Sequence, residues 1–127
     1  MKRHGILNAE LNAALSRLGH GDLVLLADCG MPAPRGVPVV DLALVLGIPR
    51  FDEVLAALVG DLVFESATVA EEGRGTDAED WVSSRVGQPS YVSHEELKAM
   101  SGAAKLFIRT GEATPYANAL LTCGVPF

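Results

Sequence analysis

Leu23-Val24-Leu25-Leu26-Ala27 is five apolar residues in a row, with Gly19-His20-Gly21-Asp22 before it and Asp28-Cys29-Gly30 after it. The run is too short for a buried helix. It also lacks the alternation of a strand wetted on one face. It therefore reads as a strand covered on both faces. Such a strand needs packed elements above and below it, which makes the chain a layered α/β protein.

The flanking patterns agree. Leu7, Leu11, Leu15 and Leu18 recur at helical spacing, with Asn8 as N-cap and Gly19 as C′ residue, which predicts a helix over 9–18. Asp28 to Pro38 is a loop by its Pro and Gly content. Val39 to Leu46 contains a second strand, stopped by Gly47-Ile48-Pro49. Asp52 to Val59 is helical, and Leu62 to Ala70 is β-rich. Glu71 to Asp77 is polar, and Thr76 to Glu79 is a capping box opening a short helix with Trp81 and Val82. Ser90 to Val92 is a strand. Ser93-His94-Glu95-Glu96 is a second capping box, opening a helix through Met100. Lys105 to Arg109 is a strand, Gly111 to Pro115 a turn, and Tyr116 to Cys123 leads into a last strand. Alternating strands and helices predict one domain over 1–127 with a mostly buried sheet.

Composition narrows the function classes. The 127 residues suit a single domain that needs neither disulfides nor a structural metal. Sixteen acidic residues against ten basic ones, with no Lys/Arg cluster, argue against nucleic acid and anionic membrane surfaces. No apolar run is long enough to span a bilayer. Asn8, Glu10 and Asn12 interrupt the N-terminal segment, so it does not read as a signal peptide. Two cysteines, Cys29 and Cys123, form no framework and no zinc spacing. Together these features predict a cytoplasmic protein.

The chemistry-bearing residues are few. His4, His20 and His94 have no close metal-ligating partners, so no metal is expected. There is no GxSxG elbow, P-loop or GxGxxG pattern. His20 lies between two glycines, where a ligand could approach closely. Asp22 stands two residues on, placed to orient the ring. The same position also suits a solvated histidine at a helix C-terminus. Asp28 follows the first strand, where ligands collect in α/β sheets, although an aspartate also forms turns there. His94 opens a capped helix and also reads as an exposed first-turn residue. Tyr116 and Asn118 offer an apolar face, a hydroxyl and an amide, a set suited to a polyol or simply to closing a turn. Two imidazoles, one or two carboxylates and a Tyr/Asn pair, without a nucleophile or cofactor motif, suit proton shuttling on a hydroxyl-rich small molecule.

In order along the chain, the segments GILNAELNAALSRLGHGD, DCGMPAP, VDLALVLGIP, VAEE, SYVSHEELK, IRTGEATPYAN and CGVPF resemble the D-ribose pyranase family, the sugar mutarotases that accompany ribose import. Fucose mutarotases share the GHGD and TGE…Y-x-N segments, while DCGMPAP and VDLALVLGIP look like the ribose branch. The resemblance implies a layered α/β/α subunit with a central mixed sheet. It implies assembly as a ring-shaped homo-oligomer, usually a decamer, that takes D-ribose and no cofactor. It places the acid histidine on His20 and sugar-binding roles on Asp28, His94, Lys98, Tyr116, Ala117 and Asn118. The stretch from Glu72 to Gln88 is shorter than the family usually carries.

The implied chemistry is general acid–base opening and reclosure of the ribose ring. Strand geometry adds a constraint. At about 3.3 Å per residue, an extended segment puts His20 and Asp28 up to roughly 26 Å apart, and no pentose bridges that. Either the segment bends sharply, or one site combines His20 of one subunit with Asp28 of a neighbour; the second is the expectation. Two other readings stand beside it: a mutarotase for another sugar such as L-fucose, and a non-catalytic sugar-binding protein on the same fold.

Overall fold

The computed structural model describes residues 1–127. Its sheet has six strands in the order β2-β5-β1-β6-β3-β4. These are β1 (Leu23–Ala27), β2 (Val39–Asp41), β3 (Phe64–Ala70), β4 (Ser90–Val92), β5 (Leu106–Arg109) and β6 (Ala119–Cys123). The helices are α1 (Ala9–Leu15), α2 (Phe51–Asp61), α3 (Asp77–Arg85) and α4 (His94–Ser101).

β1 lies inside the sheet, parallel to β5 and antiparallel to β6. β2 runs parallel to β5, and β4 parallel to β3. β3 is antiparallel to β6. Five strands therefore point one way and β6 alone runs back. The sheet is mixed, as the family resemblance implies.

The pleat sorts the core into two layers. Val24 and Leu26 of β1 join Leu106 and Ile108 under Leu11, Leu15, Phe51, Leu55, Leu58 and Val82. Leu25 and Ala27 point the other way, with Phe107, Leu120 and Leu97. Helices α1, α2 and α3 thus cover one face and α4 covers the other. Val24 to Ala27 are fully buried, which is why the run carries no polar residue.

Several boundaries differ from the sequence reading. α1 ends at Leu15 rather than Leu18, with Ser16 as its C-cap. Arg17 N and Leu18 N then donate to Ala14 and Leu15 carbonyls, so the apolar spacing continues through tightened turns. Gly19 lies beyond them and is not the C′ residue. The second strand is only three residues long, because the Asp41 carboxylate accepts from Ala43 N and turns the chain out of the sheet. Leu44, Val45 and Leu46 then face solvent. Thr76 makes no capping bond to α3; its hydroxyl donates to the Gly73 carbonyl at 2.6 Å. Ser93 does cap α4, accepting from Glu96 N at 3.1 Å.

Candidate active site

Strand direction decides which polar residues meet. The carboxyl ends of β1, β3, β4 and β5 share one edge of the sheet, and so does the start of β6. Asp28, Glu72, His94, Glu112 and Asn118 follow from that edge. It is the place where ligands collect in α/β sheets.

A cavity of about 240 Å³ opens there, lined by Asp28, Gly30, Met31, Pro32, His94, Lys98 and Tyr116. That lies below the roughly 300–1,000 Å³ of pockets for drug-sized ligands, so it fits a small one. Four of the residues singled out in the sequence converge on it: Asp28, His94, Lys98 and Tyr116. Asn118 stands behind Asp28. Its Oδ1 accepts from Asp28 N at 2.9 Å, and its Nδ2 donates to Asp28 Oδ2 at 3.0 Å. Gly30 N donates to the other carboxylate oxygen at 3.0 Å. The carboxylate is thereby fixed in orientation, with acceptor capacity left for hydroxyl groups.

His94 is held from two sides. Both Glu72 carboxylate oxygens accept from its backbone N, at 3.0 and 2.9 Å. Its ring meets the Tyr116 ring edge-on, with centroids 5.2 Å apart. His94 Nδ1 is buried and has no hydrogen-bond partner in the chain. Tyr116 has φ of +61°, a left-handed conformation that a bulky side chain rarely takes and that clusters at ligand sites. Ala117 is fully buried and reaches the site only as the link between Tyr116 and Asn118. The Lys98 ammonium pairs with Glu95 at 3.1 Å and keeps donors free.

Glu112 is a residue whose importance the sequence did not signal. Its carboxylate is buried and accepts from Phe51 N, Ala113 N, Thr114 N and the Thr114 hydroxyl. It fixes the loop that delivers Tyr116. Beside it, a Cβ on Gly111 would stand 2.3 Å from the Ile48 carbonyl oxygen, so only glycine fits.

His20 lies on the opposite edge, before β1. A separate cavity of about 280 Å³ there is lined by Gly19, His20, Asp61, Cys123 and Gly124, among others. The structure does not bring His20 and Asp28 of one chain together. Nor does Asp22 orient His20. Its carboxylate takes Gly19 N at 2.7 Å and Lys105 Nζ at 2.8 Å. That lysine holds the Asp22 carboxyl below the usual range. The partner of His20 is Glu65, 45 positions away, with Nε2 to Oε2 at 3.1 Å. Burial pushes the nearby Cys123 thiol up, so it stays protonated. Nowhere do three His, Cys, Asp or Glu side chains gather in a way that could hold a metal ion.

Comparison with known proteins settles the family. The RbsD / FucU transport protein family matches residues 1–126. The chain belongs to this family. A D-ribose pyranase of Cutibacterium acnes is 48% identical over 127 residues, covering all of both chains. One from Rubrobacter xylanophilus is 50% identical over 129 residues, again covering both chains fully. Bacillus subtilis RbsD complexed with D-ribose superposes with a TM-score of 0.93 at 40% identity, covering 100% of each chain. The fucose mutarotase from Streptococcus pneumoniae in complex with L-fucose shares the fold, with a TM-score of 0.80 at 20% identity, over 99% of this chain and 100% of the other.

Proposed function

We propose that this chain is a D-ribose pyranase. It interconverts the pyranose and furanose forms of D-ribose, and their anomers, without a cofactor. The observation that carries the reading is the convergence of Asp28, His94, Lys98 and Tyr116 on one small polar cavity. The fold around that cavity matches a ribose complex along its whole length.

Ribopyranose is a hemiacetal. A proton goes to the ring oxygen, another leaves the anomeric hydroxyl, and the bond from the anomeric carbon to the ring oxygen breaks. The resulting aldehyde rotates. A different hydroxyl then attacks the carbonyl carbon, giving the furanose, and the protons return. No covalent bond to the protein is required. General acid–base catalysis supplies roughly 10²–10⁴-fold. An imidazole suits the task because its ordinary pKa of about 6.5 lets it give and take protons near neutrality.

In this reading His20 is the acid/base group. Asp28, His94, Lys98 and Tyr116 bind the sugar hydroxyls, while Ala117 and Asn118 shape the loop around them. Since His20 and Asp28 line separate cavities of one subunit, a working site joins His20 of one copy to the Asp28 cavity of the next. The unit is then a single domain, 1–127, repeated in a ring, a decamer by family resemblance, working in the cytoplasm. The exposed apolar side chains of Leu44, Val45, Leu46 and Ile48 support burial against a second copy.

The test is NMR saturation transfer between the anomeric protons of D-ribose at neutral pH. Wild type speeds pyranose–furanose exchange, and His20→Ala loses the effect. No acceleration with ribose but acceleration with L-fucose would reassign the substrate. No acceleration with either would leave a binding protein.

A further inference from the structure

The polar pair at His20 is built by the fold. Phe64 of β3 pairs with Cys123, and Ser66 pairs with Thr122, so Glu65 is the extra residue of a β-bulge. A bulge bends the strand and re-aims a side chain, and bulges recur beside active sites. Here the displaced side chain ends 3.1 Å from His20 Nε2. The neighbouring strand makes room for it. A Cβ on Gly124 would stand 3.4 Å from Glu65 Cβ and 3.2 Å from Val63 Cγ1.

The His20 backbone is fixed independently of that contact. Gly21 N donates to the Cys123 carbonyl at 2.8 Å, and Cys123 N donates to the Asp22 carbonyl at 2.9 Å. Side-chain rotation is what remains free. Other charges near the ring are already engaged. Asp61, which lines the same cavity, accepts from Ile6 N at 3.1 Å. Asp22 and Lys105 bond each other. Glu65 alone bonds the imidazole.

We infer that Glu65 is the positioning residue for His20. Its carboxylate accepts the Nε2 hydrogen and fixes the ring, so Nδ1 is the nitrogen that faces the sugar. The inference rests on the proposed pyranase reading. In the neutral ring one nitrogen donates and the other accepts, so anchoring Nε2–H leaves a bare Nδ1 to take the proton of the anomeric hydroxyl. In the imidazolium both nitrogens donate, and Nδ1–H delivers a proton to the ring oxygen. Glu65 touches no substrate in this scheme.

The experiment combines kinetics with ¹⁵N NMR of the ring on the assembled protein. Glu65→Ala lowers kcat by roughly 10–100-fold, the size of loss seen when the carboxylate behind a metal-ligating histidine is removed, and leaves KM near wild type. Glu65→Gln keeps an acceptor and restores most of the rate. In the wild type, added ribose moves the His20 Nδ1 resonance, assigned by its loss in His20→Gln, and leaves Nε2 in place. Wild-type kcat in Glu65→Ala, or a ribose response at Nε2 instead of Nδ1, overturns the inference. If Glu65→Ala does not fold, the wild-type resonances still decide. If the wild type does not speed ribose exchange, the pyranase reading fails by itself. A changed Nε2 shift in Glu65→Gln still reports the anchor, and an unchanged one overturns it.

Discussion

At the scale of single residues, Asn118 explains how a loop aspartate becomes rigid. The side-chain amide of Asn118 meets both the backbone and the carboxylate of Asp28, and it is itself buried. Asn118→Ala leaves Asp28 N without its acceptor. The cost is about 1–3 kcal/mol of stability, read by denaturant unfolding. It also frees the carboxylate, and kcat/KM falls roughly 10–100-fold, as small misplacements of a binding group do. Asn118→Asp sets a carboxylate against Asp28 and loses sugar binding even where the fold survives. Asp28 and Tyr116 were legible in the sequence because a loop aspartate after a strand and a tyrosine beside a last strand are local patterns. The Asp28–Asn118 bond was not, because 90 positions separate its partners.

At the scale of elements, α4 is the scaffold of the cavity beside Asp28, since it carries both His94 and Lys98. Ser93 caps it, so Ser93→Ala costs about 1 kcal/mol, checked by thermal or denaturant unfolding. α2 and α3 are tied by Asp52 and Arg85, with Nε to Oδ1 at 2.5 Å and Nη2 to Oδ2 at 2.9 Å. The Arg85 guanidinium holds the Asp52 carboxyl below its ordinary value, against an opposing effect of burial. The folded value is thus the lower one. The contribution is complete above the unfolded carboxyl pKa of about 3.9, shrinks as pH falls toward the folded value, and is gone below it. Asp52→Asn therefore loses stability at neutral pH and shows a shallower fall below about pH 4, measured by unfolding across pH. Of the two expected capping boxes, the one at Ser93 forms only its N-cap half, the hydroxyl accepting from Glu96 N, whereas the Thr76 hydroxyl donates to the Gly73 carbonyl in the preceding turn.

At the scale of the whole molecule, the sheet separates the two halves of the proposed site. His20 and Glu65 stand on one edge, and Asp28, His94, Lys98 and Tyr116 on the other, with the buried Val24 to Ala27 of β1 between them. A shared site predicts complementation. Mixing inactive His20→Ala and Asp28→Ala proteins restores part of the activity after subunit exchange, followed by the same anomeric NMR experiment. Rings shown to be mixed by native mass spectrometry, yet without recovered activity, would count against a site built from two copies.

The sequence by itself determined the layered class, the buried central strand and the capped α4, which follow from apolar periodicity and local turn chemistry acting within a few residues. It also offered Asp28, His94 and Tyr116 as candidates by their local patterns, and the family resemblance added Lys98. Tertiary structure decided the rest. β6 reverses direction and brings Asn118 to Asp28, a bulge turns Glu65 toward His20, and Lys105 takes the carboxylate of Asp22, which the sequence had set beside the histidine. Each of these depends on which strands become neighbours and in what register. That is fixed by packing the two faces of one sheet, and it leaves no mark in the spacing of residues along the chain.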